Sequence, residues 1–445
     1  MPHVLAKLSA HLLRNNVDFF NIASRANSSY WGCVPMGPPD VILGISEAYK
    51  RDTDPKKVNL GVGAYRDDAG KPHILPSVRK AEEIIFNACM NHEYAPISGE
   101  AAYCNAVAKL AFGADSPALK NKSNCTVQSL SGTGALRLGL EFVTKHFGGK
   151  KELWLPTPTW GNHPQICNMI SLPHKKYRYY DPKTHGFDLN GACEDICKMP
   201  QGAIILLHAC AHNPTGVDPK PDEWKQLSDV IKERKVLPFF DMAYQGFATG
   251  SVDNDAFAVR LFEKEGHLMI LAQSFAKNMG LYGERVGALT FLCGDQETAA
   301  KMMSQVKIMV RTIYSNPAIN GSRIVSTILN NPELYKQWLC DVKEMADRII
   351  TMRKKLREGI EGRGNKQKWN HITDQIGMFC YTGLKPDQVE RLTKEFHIYL
   401  TKDGRISTPH ITPFSILGTE TPKSMYVTAV QYHILLQRTK RTQYL

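Results

Sequence analysis

Asp241 ends the apolar run 236–240, and Lys277 comes three residues after a second run, 267–274. A carboxylate at the end of a buried strand sits rigidly in a place of low dielectric and calls for a cationic partner. Two more runs lead into polar turns. Residues 203–208 run into His212-Asn213-Pro214-Thr215-Gly216, and residues 126–130 into Ser131-Gly132-Thr133-Gly134, which opens a helical stretch. Tyr244 stands three residues past Asp241, and Arg285 eight residues past Lys277. Small residues at a helix start let an anion approach several backbone N–H groups, so the 131–134 turn suits a phosphate. It is not a dinucleotide fingerprint, because Arg137 occupies the place of the last glycine, and no Gly-Lys-Ser/Thr follows to make a P-loop.

Taken singly, each of these residues is explained by packing, a tight turn or a surface ion pair; for Asp241 the plain alternative is a lysine on a neighbouring strand end. Together they match one chemistry. A pyridoxal-phosphate site needs a lysine amine for the aldehyde and an acid for the ring nitrogen. Lys277 and Asp241 supply both. Tyr244 and Asn213 are placed to hydrogen-bond the phenolic oxygen, with Ser274 and Arg285 adding to the phosphate cradle.

The elements that must hold these residues follow from the patterning. Between residues 120 and 295, short apolar runs (126–130, 152–156, 203–208, 236–241, 267–274 and 288–293) alternate with helical stretches. That rhythm predicts a mostly parallel sheet with helices on both faces, whose ligands lie outside the carboxyl ends of the strands. Residues 332–360 keep an apolar period near 3.6 from Leu334 to Ile360 and predict one long helix, ended by Gly362 and Gly364.

A chain of 445 residues, 43% hydrophobic and 22% charged, fits a globular protein of about two domains. No apolar run reaches the roughly 18 residues of a spanning helix, so no integral membrane segment is expected. The formal charge of +12 suits acidic small molecules, and no Lys/Arg block is dense enough to suggest nucleic acid. Cys193 and Cys197 followed by His208 and His212 loosely match a zinc finger. A finger needs both histidines on one helix, though, and here His208 closes a strand-like run while Pro214 stops a helix after His212. No metal is expected, and the eleven cysteines read as reduced thiols. Residues 1–28 are basic, acid-poor and amphipathic, the pattern of a mitochondrial presequence, which implies the matrix.

Seven motifs carry a resemblance: VNLGVGAYR (58–66), SGTGALR (131–137), PTWGNH (158–163), HACAHNPTG (208–216), FDMAYQGF (240–247), SFAKNMGLYGERVG (274–287) and DQIGMF (374–379). Over residues 29 to about 407 the chain resembles the aspartate aminotransferases, fold-type-I pyridoxal-phosphate enzymes, and among them the mitochondrial form. The resemblance implies an α/β fold, with a large domain of mostly parallel sheet flanked by helices and a smaller α/β domain. It divides the chain into an N-terminal arm (29–39), a first small-domain part (40–72), the large cofactor domain (73–344) and a second small-domain part (345–407). It implies a homodimer with shared active sites, and ping-pong transfer of the amino group from L-aspartate to 2-oxoglutarate, giving oxaloacetate and L-glutamate.

Residue roles follow from the same resemblance. Lys277 matches the lysine that holds the cofactor and shuttles the proton, and Asp241 the acid that keeps the ring nitrogen protonated. Trp160 matches the ring-stacking tryptophan, while Tyr244 and Asn213 match the tuning residues. Ser131, Gly132, Thr133, Ser274 and Arg285 match the phosphate site, with Tyr94 reaching in from the second subunit. Gly63 and Arg405 match the α-carboxylate site, and Arg311, in RTIYSNP (311–317), the arginine that reads the distal carboxylate; Trp160 and Asn213 also border the substrate. A guanidinium is a planar two-pronged donor, and two at a fixed separation select a dicarboxylic amino acid and 2-oxo acid.

After Ser407 the pattern breaks. Residues 408–445 begin Thr408-Pro409-His410-Ile411-Thr412-Pro413, where prolines exclude a closing helix before residue 422. The expectation is a loosened small domain that holds Arg405 poorly. The rival reading is a catalytically impaired isoform kept as a binding protein.

Overall fold

A computed structural model describes residues 30–37, 41–55, 57–362 and 368–411. The expected presequence (1–28) and the tail beyond residue 411 lie outside the described residues. Residues 30–37 form a turn in which the Val34 N–H donates to the Trp31 carbonyl at 3.0 Å. The described residues from 45 onward form one compact unit.

A seven-stranded sheet lies at the centre of this unit. In chain order its strands are β1 (Asn124–Leu130), β2 (Leu153–Thr157), β3 (His174–Arg178), β4 (Ile204–His208), β5 (Leu237–Met242), β6 (Met269–Ser274) and β7 (Val286–Leu292). Their spatial order is β1-β7-β6-β5-β4-β2-β3. All neighbours run parallel except β7, which is antiparallel to both β1 and β6. All six strands expected from the sequence form. The seventh, β3, reads His-Lys-Lys-Tyr-Arg and has one fully buried side chain, Tyr177. An edge strand with one wet face shows no apolar run, so composition hides it.

The sheet is buried on both faces, which is why β4 and β7 are apolar almost throughout. Side chains alternate between two clusters. Leu206 and Phe239 pack with Leu136, Leu140 and Leu289 on one face, whereas Leu207 and Phe240 pack with Trp224, Phe262 and Leu271 on the other. Helix α1 (Ser131–His146) starts directly where β1 ends, which puts the Ser-Gly-Thr-Gly turn at a sheet edge.

Helix α2 (Pro332–Glu361) links two cores. Asn331 caps it, its Oδ1 accepting from the N–H groups of Glu333 and Leu334 at 3.0 and 3.1 Å. Leu334, Trp338, Val342, Met345 and Ile349 join the core beneath Phe247 and Phe275. Met352, Leu356 and Ile360 join a second core with Leu60, Trp369, Ile398 and Ile406. In that second region β8 (Phe379–Tyr381) pairs antiparallel with β9 (Arg405–Ser407). No helix among the described residues is long and apolar enough to cross a membrane.

Trp338 ties α2 to the functional end of the sheet. It is fully buried, and its Nε1–H donates to the Asn278 carbonyl, beside Lys277, at 2.8 Å. Trp338→Phe keeps most of the packing but leaves that carbonyl without its donor. A loss of about 1–3 kcal/mol is expected in urea unfolding; an unchanged midpoint would mean that the carbonyl finds another partner.

Candidate active site

Strands β4 and β5 run parallel with His208 in register beside Asp241, so both side chains stand at the carboxyl end of the sheet. The helix Asn162–Met169 brings His163 to the same place. The His163 Nε2 lies 3.0 Å from Asp241 Oδ2, and its Nδ1 lies 2.8 Å from Thr159 Oγ1. Thr159 Oγ1 is in turn 3.3 Å from His208 Nε2, and His208 Nδ1 accepts the Asn213 N–H at 3.3 Å. Burial first, and His163 second, push His208 down to about 3, so it is neutral at pH 7. With His208 neutral, the Asn213 N–H donates to His208 Nδ1, His208 Nε2–H donates to Thr159, and His163 Nε2–H donates to Asp241. Burial alone would raise Asp241, but the interaction with His163, its hydrogen bond first, and the attraction of Lys277 outweigh it and keep the carboxyl below its ordinary value. Asp241 Oδ1 makes no hydrogen bond among the described residues, leaving an open acceptor.

Lys277 follows β6 and is largely buried, with its Nζ 5.6 Å from the Tyr244 ring centre. Burial pushes its amine down to about 8; Arg285 and Arg405 add to this, and Asp241 opposes it. An amine so lowered is partly free base near neutrality, as a nucleophile toward an aldehyde must be. Burial also raises the Tyr244 phenol well above its usual range.

Ser131 has a left-handed φ of 61°, and its Oγ lies 3.0 Å from the Ser274 Oγ. A Cβ on Gly132 would come within 3.1 Å of the Ser274 Cβ, so glycine keeps this cradle open. Thr133 is the third residue of α1. Arg285 follows in the β6–β7 loop, its Nη1 donating to the Tyr282 carbonyl at 3.1 Å. Trp160 stands edge-on to His163, with ring centres 5.3 Å apart.

Arg405 reaches the same space from β9. Its guanidinium donates to Asn213 Oδ1 at 3.1 Å and to the Gly61 carbonyl at 2.9 Å, and stacks 4.0 Å from the Phe379 ring centre. Its Nε is buried without a partner among the described residues. Arg405 is thus held by two hydrogen bonds and an aromatic face, where a loose hold was expected. Gly63 packs against Phe379, where a Cβ would come within 2.8 Å of the ring.

Two expected residues stay apart from this cluster within one chain. Arg311 is exposed and pairs with Ser315 and with Asn316 Oδ1, the latter at 3.1 Å. Tyr94 is 86% exposed. The sequence reading assigned no role to Thr159, His163 or Phe379. A histidine three residues past Trp160 in the PTWGNH motif was the available sign.

The donor set fits pyridoxal phosphate: the Ser131 and Ser274 hydroxyls beside Gly132 for the phosphate, a free carboxylate oxygen for a protonated ring nitrogen, and a depressed amine for the aldehyde. The class I and II aminotransferase family profile matches residues 55–416. The chain is 56% identical to the mitochondrial aspartate aminotransferase of Gallus gallus over 93% of its own length and 97% of that protein. It resembles the cytoplasmic aspartate aminotransferase of Saccharomyces cerevisiae with a TM-score of 0.87 and 40% identity, covering 92% of this chain and 99% of that one. An aromatic-amino-acid aminotransferase from Burkholderia pseudomallei, covalently bound to pyridoxal phosphate, superposes with a TM-score of 0.85 at 40% identity, covering 91% and 98%. The sheet, the lysine and the acid thus define a class I and II aminotransferase, and within that family the chain belongs with the aspartate aminotransferases.

The neutral histidine chain has a cost in acid. The unfolded chain protonates His208 near pH 6.5, whereas the folded protein resists until about pH 3, so stability falls as pH drops across that window. His208→Gln cannot titrate, and its urea midpoint should fall less than the wild type's between pH 7 and about pH 4.5. A residual fall remains from His267 and His371, both pushed down to about 4 by burial.

Proposed function

We propose that the chain is an aspartate transaminase that uses pyridoxal 5′-phosphate to move the amino group of L-aspartate to 2-oxoglutarate, yielding oxaloacetate and L-glutamate. The observation that carries this reading is the convergence of the Lys277 amine, the open oxygen of Asp241 and the Ser131–Ser274 cradle at one sheet end. When bound, pyridoxal phosphate supplies an aldehyde for amine exchange and a ring that withdraws electrons. Asp241, held charged by His163, keeps a proton on the ring nitrogen. Lys277, once free of the cofactor, would carry the proton between the substrate Cα and the cofactor's C4′. Tyr244 and Asn213 orient the phenolic oxygen, Trp160 covers the ring, and Thr133 and Arg285 complete the phosphate contacts. Gly63 and Arg405 bind the α-carboxylate.

In this reading two copies of the chain form a homodimer, and each copy's exposed Tyr94 and Arg311 complete its neighbour's site. The part formed by residues 40–72 and 345–407 then moves as a small domain against 73–344, with 29–39 as an arm toward the second copy. Residues 1–28 direct the protein to the mitochondrial matrix. The intact polar constellation favours an enzyme over the impaired binding protein.

Turnover of L-aspartate with 2-oxoglutarate by the purified chain tests the activity. Borohydride reduction and peptide mapping should place the cofactor label on Lys277; a label on Lys301 or Lys307, or on no lysine, would sink the mechanism. Arg311→Asp reverses the charge offered to the distal carboxylate. Loss of about 3 kcal/mol of charged hydrogen bonding corresponds to roughly 100-fold lower kcat/KM for aspartate. A cationic amino acid should lose less, or gain; equal losses would show that Arg311 does not read the side chain.

A further inference from the structure

The segment that follows β9, residues 408–411, is held by hydrogen bonds from several sides. Residues Thr408–His410 form one 3-10 turn. The Thr408 N–H donates to the Met378 carbonyl at 2.9 Å, and Ile411 is buried. Arg348, on α2, donates to the carbonyls of Pro409 and Ile411 at 3.1 and 3.2 Å and to that of Asp67 at 3.3 Å. His410 bridges the other side. Its Nδ1 lies 2.9 Å from the Asn59 carbonyl oxygen and its Nε2 3.0 Å from the Ala64 carbonyl oxygen.

Those two carbonyls bracket Gly61, whose own carbonyl holds Arg405, and Gly63, which packs on Phe379. A carbonyl oxygen only accepts, so both contacts are hydrogen bonds only when both ring nitrogens carry a proton. In the neutral ring one lone pair faces a carbonyl oxygen at about 3 Å. The charges around the ring are Arg66 and, on α2, Arg348, both of which disfavour its protonation. Nearby, Asp68 is paired to Arg348 at 2.8 Å, Asp67 offers Arg348 its carbonyl, the Tyr65 ring centre lies 5.6 Å from the Arg348 guanidinium, and Glu344 acts on the Tyr65 phenol. Burial first, then the two guanidiniums, hold the ring below its ordinary pKa, while the two carbonyls pull the other way. Near neutrality the staple is therefore half made, and acid completes it.

We propose that His410 is a positioning residue whose doubly protonated ring staples residues 59–64 into the shape that seats Arg405, so that dicarboxylate binding tightens as pH falls. The proposal rests on the reading of Gly63 and Arg405 as the α-carboxylate site. By linkage, a dicarboxylate that favours the stapled loop must also make His410 easier to protonate.

The test uses the full-length holoenzyme and maleate, a dicarboxylate with no amino group to transfer. Histidine-labelled protein is titrated by NMR, with His410 assigned from its absence in His410→Gln. The expected result is that both His410 nitrogens become protonated below the ordinary imidazole range, and that maleate shifts this titration upward. The maleate Kd should tighten on the order of 5- to 10-fold from pH 8 to pH 5.5 beyond any change in His410→Gln and His410→Phe, at the low end of coupling between sites. A His410 that never carries two protons, or whose titration ignores maleate, overturns the proposal without any variant having to fold. Parallel pH profiles in wild type and both variants overturn it too. Arg405→Lys separates the two ideas: if it weakens maleate while the His410 variants follow the wild-type profile, the carboxylate site stands and the staple falls. If Arg405→Lys leaves maleate binding unchanged, the carboxylate reading fails and takes the staple with it.

Discussion

A buried charge that is held in place without being neutralised is the constraint on which this site is built. Asp241 has no lysine or arginine ion pair among the described residues; its fixed partner is the imidazole of His163. The interaction with His163 keeps this buried carboxylate ionised, and unlike a two-pronged guanidinium it leaves one carboxylate oxygen open. The arrangement works because His163 is itself oriented by Thr159 and His208, so the donor cannot turn away. One carboxylate oxygen remains open toward the space that Lys277 and Trp160 border.

The same logic recurs at Arg405. Its partners are the amide oxygen of Asn213, the carbonyl of Gly61 and the face of Phe379, all uncharged. The loop beneath it is fixed by a second buried guanidinium. Arg353, on α2, donates to the carbonyls of Ile372 and Gly377, both at 2.9 Å, and to that of Phe379. Because α2 passes through both cores, the strand that carries Arg405 and the sheet that carries Asp241 are packed along one helix.

How much of this was legible in the sequence depends on what each feature needs. Strands buried on both faces announce themselves as apolar runs, so the strands carrying Asp241, Ser274 and His208 could be read directly. The edge strand His174–Arg178 could not, because one wet face leaves no apolar signature. Lys277 and Asp241 were found because Lys277 follows its strand by three residues and Asp241 closes the apolar run of its own. Thr159, His163 and His208 were not given their role, because a relay joining three segments is a property of tertiary geometry. Among the described residues the segment after Ser407 forms a single 3-10 turn, and composition could not show that Thr408–Ile411 would be gripped by Arg348 and His410.

These observations also bear on selectivity. Keeping Arg405 buried without a carboxylate costs desolvation energy, and burial lowers its pKa, as expected for a charge that lacks a full counterpart. Its unpartnered Nε adds to that cost. A ligand carboxylate can return the cost only by lying in the guanidinium plane, where two donors meet two oxygens. An amine or an apolar group in the same place leaves the charge as it was. Discrimination therefore comes less from added contacts than from a deficit already present in the folded chain, which the correct ligand removes. In the proposed dimer the exposed Arg311 would stand in the opposite state, solvated until the second copy covers it, so the distal carboxylate would be read only in the assembled protein.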